Sequence, residues 1–227
     1  VLLERDQLTS GTTWHAAGLV SQLGPTAAVT KIRKYTLDLY KKLEKEVDHS
    51  AGLRINGALS IAQTDARWQE LQRQATTAQL YDVDIKILDK DQIKKNYPIM
   101  HTEDLKGGVL MPDDGAADPS GVTHMLAKGA RLGGAKIFEQ SPVETILTKN
   151  NRISAVRVNG QDIECEYVVL ATGMWSRQIG EKIGVSIPLY PAEHFYVITE
   201  PIENLSPTLP VIRDFDSSTY IKEDAGK

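Results

Sequence analysis

The first residues of this chain combine a short apolar strand, an acidic side chain and a loop of small residues. Val1-Leu2-Leu3 precedes Glu4-Arg5, and Ser10–Leu19 reads Ser-Gly-Thr-Thr-Trp-His-Ala-Ala-Gly-Leu. An acid at the end of a strand is where dinucleotide-binding folds hydrogen-bond a ribose. Small residues let backbone N–H groups approach a flat ring or a phosphate closely. The combination therefore favours an α/β fold that binds a nucleotide-like ligand beside its first strand.

A second small-residue turn follows the apolar run Tyr167–Leu170. A continuous apolar run without alternation predicts a strand that is buried on both faces of a parallel sheet. The run ends in Ala171-Thr172-Gly173, and open α/β sheets bind ligands at the carboxyl ends of their strands. Trp175, Ile179 and Ile183 predict a helix directly afterwards. The pattern alone is compatible with a ligand site or with an ordinary strand-to-helix turn.

The remaining chain is predicted to be a mixture of helices and strands, with no repeats. Helices are predicted over 30–47, from Thr64 or Asp65 to about 79, from Asp89 to a stop before Pro98, and from Asp118-Pro119 to Gly133-Gly134. Strands are predicted over 54–62, 84–88, 107–111, 135–139, 143–148, 153–158, 163–165, 194–199, 211–214 and 218–221. The strands from 143 to 165 form a β-meander in this interpretation.

Composition limits the classes of partner. The 227 residues include 26 basic and 30 acidic side chains, and no basic block favours nucleic acid or a polybasic membrane contact. No apolar run approaches the length of a membrane-spanning helix. The single cysteine, Cys165, cannot form an internal disulfide, which suits a reducing compartment.

Two stretches near the start of the chain resemble the dimethylglycine dehydrogenase and sarcosine dehydrogenase family: Leu3-Glu4-Arg5 and the residues from Leu8 to Gly18. The most specific part of the resemblance is Trp14-His15-Ala16-Ala17-Gly18. The resemblance implies a glutathione-reductase-like FAD-binding fold, α/β with mixed α+β character, and a β-sheet substrate domain. It implies that His15 bonds covalently to the flavin 8α-methyl group, a reaction that requires neutral imidazole and should slow in acid. It further implies that the backbone of Val143 meets the adenine and that Trp175 lies beside the cofactor. Ala171-Thr172-Gly173 departs mildly from the family's Ala-Ala-Gly. Without the resemblance, His15 reads as an ordinary loop histidine.

The predicted cofactor site combines the strand end, the small-residue loop and the later turn. Its residues are Glu4, Arg5, Ser10, Gly11, Thr12, Thr13, Trp14, His15, Ala16, Ala17, Gly18, Leu19, Val143, Ala171, Thr172, Gly173 and Trp175.

The domain prediction assigns 1–52 and 101–190 to an FAD-binding domain, and 53–100 and 191–227 to a substrate domain. The chain opens on Val1 without a preceding Gly-x-Gly-x-x-Gly, so we expect an internal piece of a longer protein, incomplete at both ends. FAD would then be bound poorly by these residues alone, because a helix N-terminus for its phosphates is absent. Tetrahydrofolate is expected only through a C-terminal domain outside this chain.

The resemblance implies oxidation of an N-methylated amino acid of the sarcosine or dimethylglycine type. Hydride would pass from the N-methyl C–H to flavin N5, giving an imine that hydrolyses to formaldehyde. His194 and Tyr196, two residues apart on one predicted strand face, and Tyr220 are the candidate catalytic residues. An electron-transfer flavoprotein or oxygen would accept the electrons, in the bacterial cytoplasm or the mitochondrial matrix. The alternatives are a non-catalytic protein resembling the pyruvate dehydrogenase phosphatase regulatory subunit, which lacks the flavin-linking histidine, and an inactive fragment.

Two further groups of charged residues have competing interpretations. Arg213 beside Asp214 suits a grip on a carboxylate, but also an internal ion pair or an exposed position. Asp113, Asp114 and Asp118 invite a metal interpretation, but a turn and a helix cap explain them better, and no Cys or His cluster accompanies them.

Overall fold

The computed structural model describes all 227 residues, which form two compact units. The first unit comprises Val1–Ser10 and Ala130–Val197, and the second comprises Gly11–Gly129 and Ile198–Lys227. The predicted mixture of helices and strands is confirmed. The predicted domain boundaries stay a prediction. None of the helices combines the length and the apolar character that crossing a membrane requires.

Short strands and five α-helices make up the two units. The strands are β1 (Leu2–Leu3), β2 (Leu19–Val20), β3 (Ala58–Ala62), β4 (Lys86–Leu88), β5 (Gly107–Met111), β6 (Gly115–Ala116), β7 (Ile137–Phe138), β8 (Val143–Lys149), β9 (Arg152–Val158), β10 (Gln161–Glu164), β11 (Val211–Asp214) and β12 (Thr219–Ile221). The α-helices are α1 (Ala27–Glu46), α2 (Asp65–Gln79), α3 (Lys90–Asn96), α4 (Pro119–Leu132) and α5 (Ser176–Lys182). Short 3-10 turns cover Thr13–His15 and Gly173–Trp175.

The helix ends follow their caps. The Thr64 side chain accepts a hydrogen bond from the Arg67 amide at the start of α2, as predicted. Asp89 and Gln92 form a reciprocal capping box at α3. Helix α1 starts earlier than predicted because Thr26 is its N-cap. The apolar spacing located the body of α1, whereas a hydroxyl three residues before Val29 set its first turn.

The second unit is built on a five-stranded sheet in the order β12-β11-β3-β5-β4. Strand β11 is parallel to β3, and the other neighbours are antiparallel. One face packs into a core that includes Leu59, Ile61, Ile93 and Ile212. The opposite face carries the alternate residues of these strands, among them Val211 and Arg213. Val211 belongs to a separate buried cluster on this second face, together with Ala58 and Ala116.

The first unit contains the predicted meander, and its order β10-β9-β8 is confirmed. Ile146, Val156 and Val158 are its buried centre, and side chains of α5 pack against them. Strands β1 and β7 form a separate parallel pair.

The predicted strand over Tyr167–Gly173 is wrong. Residues 167–172 pair with no other strand, and Gly173 opens a 3-10 turn. Val168 and Leu170 pack against the meander core, whereas Tyr167 and Val169 are 82% and 88% exposed. A strand requires a neighbour for its backbone hydrogen bonds, and an apolar run reports only that side chains favour burial.

The predicted strand over 194–199 is also wrong. His194 and Tyr196 lie in a segment without regular structure, in which Phe195 and Val197 are 84% and 88% exposed. Their alternation therefore does not define a strand face. The catalytic roles of His194 and Tyr196 stay predictions without that argument.

The predicted strand over 54–62 is shorter in the structure. Only Ala58–Ala62 form β3, and Arg54 makes an isolated bridge to Ala116. The strand begins after Gly57, whose φ of +86° interrupts the extended backbone.

Candidate functional site

Glu4 lies directly beyond the parallel pair of β1 and β7. Its amide donates to the Phe138 carbonyl at 2.8 Å, and its carbonyl accepts from Ser141 at 2.8 Å. Glu4 Oε1 accepts a hydrogen bond from the Asp6 amide at 2.9 Å. These bonds hold the carboxylate at the carboxyl end of β1, the position at which a ribose-binding acid is expected.

Arg5 and Trp175, two predicted cofactor residues far apart in the sequence, meet in the first unit. The Arg5 guanidinium carbon lies 4.8 Å from the centroid of the Trp175 ring, a cation–π distance. Trp175 ends the turn that begins at Gly173, and the Thr172 and Ser176 hydroxyls are 2.8 Å apart. No atom lies within 4 Å of the place where a Cβ on Gly173 would stand, so this side of the turn is open.

The small-residue loop belongs to the second unit from Gly11 onward. Thr13–His15 form a 3-10 turn, and the rings of Trp14 and His15 stack with centroids 3.6 Å apart and an interplanar angle of 33°. Thr12, Trp14, His15 and Ala16 are exposed. The loop therefore presents its imidazole and indole together on the surface of this unit.

The carboxyl end of the loop is fixed by β2. Gly18 adopts φ +73°, and its carbonyl accepts from the Ala117 amide at 2.8 Å. Leu19 pairs with Ala116 in β6 and packs against the cluster that contains Ala58 and Val211, on the second face of the main sheet. The loop is thus anchored directly beside the sheet.

A buried polar cluster lies beyond this anchor and comprises Gln22, Asp114 and Arg213. Asp114 is fully buried, and its Oδ1 accepts from the Gln22 amide at 2.9 Å. Arg213 Nη1 lies 3.9 Å from Asp114 Oδ2, and the Arg213 side chain is only 14% exposed. Asp114 Oδ2 and Gln22 Nε2 are buried without a hydrogen-bond partner.

The pKa values of the cluster are governed by burial. Burial raises the pKa of Asp114, while the Gln22 amide and the positive charge of Arg213 oppose that rise. Burial lowers the pKa of Arg213. The negative charge of Asp114 acts against this lowering, and the positive charge of Arg33 adds to it. Both residues of the pair therefore carry a desolvation cost that their mutual attraction only partly offsets.

We expect Asp114→Asn to alter how stability depends on pH. Because the folded-state pKa of Asp114 is raised, its contribution to stability is complete below about pH 4 and is lost as pH rises through the folded pKa. Asparagine does not ionise, so it avoids this loss. The free energy of unfolding of the variant should therefore increase relative to that of wild type as pH rises. Denaturant unfolding at several pH values measures this, with Asp113→Asn at the exposed neighbouring position as control. A pH-independent difference for Asp114→Asn would contradict the prediction.

Strand register adds Tyr220 to this face. Arg213 pairs with Tyr220 in β12 on one side and with Ser60 in β3 on the other. Paired residues of neighbouring strands project to the same side of a sheet. The predicted catalytic Tyr220 therefore shares a face with Arg213 and with the strand residues that hold Leu19.

The structure decides two of the open questions about charged residues, namely whether Asp214 pairs with Arg213 and what Asp118 does. Asp214 accepts instead from Gln63 and from Ser217, so it is not the ionic partner of Arg213. Asp118 caps α4 by accepting from the Ser120 and Gly121 amides, as predicted.

Sequence reasoning missed Gln22 altogether and treated Asp114 only as a turn residue. A polar side chain inside an otherwise apolar stretch is a weak signal, and Gln22 in Leu19-Val20-Ser21-Gln22-Leu23 supplied one. The pairing of Asp114 with Arg213 has no local signal, because it depends on how β11 is placed in the sheet.

The residues present fit FAD. Glu4 offers a carboxylate at a strand end, the Gly173 turn is open, and the exposed loop is rich in small side chains. The predicted residues fall into two groups. The first unit holds Glu4, Arg5, Ser10, Val143, Ala171, Thr172, Gly173, Trp175, His194 and Tyr196, and the second holds residues 11–19 and Tyr220.

Comparison with known proteins places the chain among FAD-dependent oxidoreductases. The profile of the family described as "FAD dependent oxidoreductase" matches residues 1–227. The chain is 37% identical over its whole length to 4-methylaminobutanoate oxidase (formaldehyde-forming) of Paenarthrobacter nicotinovorans and covers 28% of that protein. It is 36% identical to human mitochondrial sarcosine dehydrogenase, with 98% of this chain and 25% of the relative aligned. The chain thus spans about a quarter of the length of these relatives.

Solved structures share the fold. L-proline dehydrogenase from P. horikoshii superposes with a TM-score of 0.90 at 26% identity, covering 98% of this chain and 60% of that one. Glycine oxidase from Geobacillus kaustophilus superposes with a TM-score of 0.78 at 22% identity, covering 99% and 61%. At 22% identity, the similarity to glycine oxidase shows a common fold and nothing about activity.

Proposed function

Because the chain belongs to the FAD dependent oxidoreductase family, we propose that it forms part of an enzyme that oxidises an N-methylated amino acid. The observation that carries this proposal is the 37% identity, over the entire chain, to an oxidase whose name specifies a methylamino acid and formaldehyde. Bound FAD would accept the hydride of an N-methyl C–H bond, as flavins do in amine oxidation. The resulting imine would take up water and release formaldehyde and the demethylated amino acid.

The chain's own residues have separable roles in this proposal. Glu4 would bind the ribose, the backbone of Val143 the adenine, and the loop 10–19 the flavin ring. His194, Tyr196 and Tyr220 stay candidates for orienting the amine or moving its proton. Of these, Tyr220 has the strongest structural support, since its strand register sets it beside Arg213.

We also propose that His15 is the point of covalent flavin attachment. Two observations support this attachment point. The imidazole lies on an exposed 3-10 turn. The motif Trp14-His15-Ala16-Ala17-Gly18 also resembles the corresponding sequence motif of the family. An exposed, neutral imidazole can act as a nucleophile toward the flavin 8α carbon. The new N–C bond would replace an 8α C–H bond and the imidazole N–H bond. The two protons and the electron pair would leave the flavin reduced, and the proposed electron acceptor would reoxidise it.

The proposed reaction predicts which C–H bond is broken. In the full-length FAD-loaded protein without oxygen, sarcosine, dimethylglycine or 4-methylaminobutanoate should bleach the flavin absorption and release one formaldehyde per flavin. Deuterium in the N-methyl group should slow bleaching by about 3-fold or more if this bond breaks in the slow step. Deuterium on the other carbon attached to nitrogen is the matched control and should leave the rate unchanged; this is the α-carbon of sarcosine and dimethylglycine and C4 of 4-methylaminobutanoate. An isotope effect at this carbon alone would refute oxidation at the N-methyl group.

A second candidate is a non-catalytic regulatory role. The mouse pyruvate dehydrogenase phosphatase regulatory subunit is 30% identical over this whole chain. His15 favours the enzyme, because the resemblance assigns the flavin-linking histidine to the catalytic members. Failure of every N-methylated amine to bleach bound flavin would favour the regulator.

Location and electron acceptor complete the proposal. The similar proteins include a bacterial oxidase and mitochondrial dehydrogenases. We propose that the protein acts in the bacterial cytoplasm or the mitochondrial matrix, with an electron-transfer flavoprotein or oxygen as acceptor. Use of tetrahydrofolate would depend on a domain outside these residues.

A further inference from the structure

Strand β12, which carries Tyr220, has little support of its own. It lies at the edge of the five-stranded sheet and pairs only with β11. All three of its residues are exposed. A short edge segment with few buried contacts opens easily, because little apolar surface holds it in place. The position of Tyr220 therefore depends on how the residues that flank β12 are held.

Glu223, two residues after β12, is held through its side chain and its backbone. Its side chain is only 4% exposed, and its Oε1 accepts from the Gly226 amide at 2.9 Å. Arg54 Nη1 donates to Glu223 Oε2 at 3.0 Å, and Arg54 Nη2 donates to the Glu223 carbonyl at 3.2 Å. A guanidinium presents its N–H groups in a rigid, planar fork. One arginine thus fixes both the carboxylate and the main chain of the residue that follows β12.

The backbone of Arg54 belongs to the anchor of the loop 10–19. Its amide donates to the Ala116 carbonyl at 2.7 Å, and the Ala116 amide donates back to the Arg54 carbonyl at 3.0 Å. Ala116 pairs in turn with Leu19 at the end of the loop. A Cβ on Gly115 would stand 1.9 Å from the Arg54 carbonyl oxygen, so the two backbones approach closely. The main chain of Arg54 is therefore fixed to the same anchor as the loop.

Arg54 consequently joins two elements that the proposed function needs at a defined separation. Its main chain is bonded to the strand pair that ends the loop, and its side chain reaches the residue that follows β12. Both contacts lie within the second unit. Without the guanidinium, the buried carboxylate of Glu223 would lose its cation, which is strongly unfavourable. The end of β12 would then have reason to move away from the anchor.

From these contacts we propose that Arg54 is a positioning residue, which holds Tyr220 at a fixed distance from the loop 10–19 through Glu223. The assignment rests on the proposed function, in which the loop binds the flavin ring and Tyr220 orients the amine or moves its proton. Arg54 acts through Glu223 and has no contact with the amine in this assignment. A displacement of about 1 Å in an active site can cost roughly 100-fold in rate. Loss of the link should therefore slow the chemical step.

Hydrogen–deuterium exchange tests the link without requiring turnover. In the full-length FAD-loaded protein, Arg54→Met should raise the exchange rate of the β12 amides about 10-fold or more, because the end of the strand is released. Arg54→Lys should raise it less, since an ammonium keeps the charge but not the fork. Arg157→Met is the matched control: Arg157 also makes two hydrogen bonds to one acid, Asp162, but in the first unit. It should leave exchange in β12 unchanged.

Flavin bleaching without oxygen separates positioning from stability, with the amine that bleaches wild-type flavin fastest at saturating concentration. Arg54→Met should slow bleaching about 10- to 100-fold, and Tyr220→Phe should also slow it. The double variant should be no slower than the slower single variant, because the link then has no phenol to position. A merely structural role of Arg54 would multiply the two losses instead. Arg157→Met should bleach at the wild-type rate.

Four outcomes decide the assignment. Unchanged exchange in β12 of Arg54→Met, a wild-type rate in Tyr220→Phe, or multiplied losses in the double variant would each overturn it. If no N-methylated amine bleaches wild-type flavin, the proposed reaction is rejected, and the exchange measurement alone decides whether Arg54 holds β12. If Arg54→Met does not fold, Arg54→Lys replaces it in both measurements, and wild-type values would then count against the proposal.

Discussion

Gly18→Ala is expected to destabilise the protein by about 2 to 5 kcal/mol, because it combines a left-handed backbone with a backbone clash. Gly18 has φ +73°, and a Cβ there would stand 2.0 Å from the Ala117 carbonyl oxygen. The surrounding atoms belong to the β2–β6 anchor, where the Ala117 amide donates to Gly18, so they cannot move away cheaply. Denaturant unfolding measures the loss in the free energy of unfolding.

Gly160→Ala separates the two causes. Gly160 has nearly the same φ, +74°, but no atom lies within 4 Å of the place where its Cβ would stand. Its substitution should therefore cost only the left-handed backbone strain, about 1 to 2 kcal/mol. If Gly18→Ala and Gly160→Ala proved equally stable, the close approach at the end of the loop would not matter for stability.

The second large effect concerns His15. In His15→Ala, flavin should be released completely when the FAD-loaded protein is precipitated with acid, whereas wild-type protein should keep its flavin fluorescence in the washed precipitate. The reason is chemical: without the imidazole, no nucleophile remains at this position of the turn to bond the flavin 8α carbon. The flavin would then be held only by non-covalent contacts, which denaturation abolishes.

His101→Ala provides the control for this experiment. His101 is likewise an exposed histidine of the second unit, with an 80%-exposed side chain, and it lies outside the loop. This variant should keep its flavin through precipitation. Fluorescent flavin in precipitated His15→Ala would rule out His15 as the attachment point, and loss of flavin from precipitated wild type would show a non-covalent cofactor.

The predictability of the site differs from residue to residue. The strand end at Glu4 and the small-residue loop could be recognised because their residues are consecutive in the sequence. The sequence placed Arg5 and Trp175 each at the cofactor site but did not predict their contact, since nothing local links the two positions. For Arg213, the sequence suggested an ion pair with its neighbour Asp214, which instead accepts hydrogen bonds from Gln63 and Ser217. Asp114 became the partner of Arg213 through the packing of β11 beside β3.

The sequence by itself determined the local structure, namely the helix caps at Thr64, Asp89 and Asp118 and the β-meander. It also contained the loop motif on which the family resemblance rests. These features depend on side chains and amides within a few residues of one another. Only the tertiary structure decided that residues 167–172 form no strand and that Asp114 is buried against Arg213. Strand pairing and the desolvation of a charge depend on neighbours distant in the chain, so no local pattern reports them.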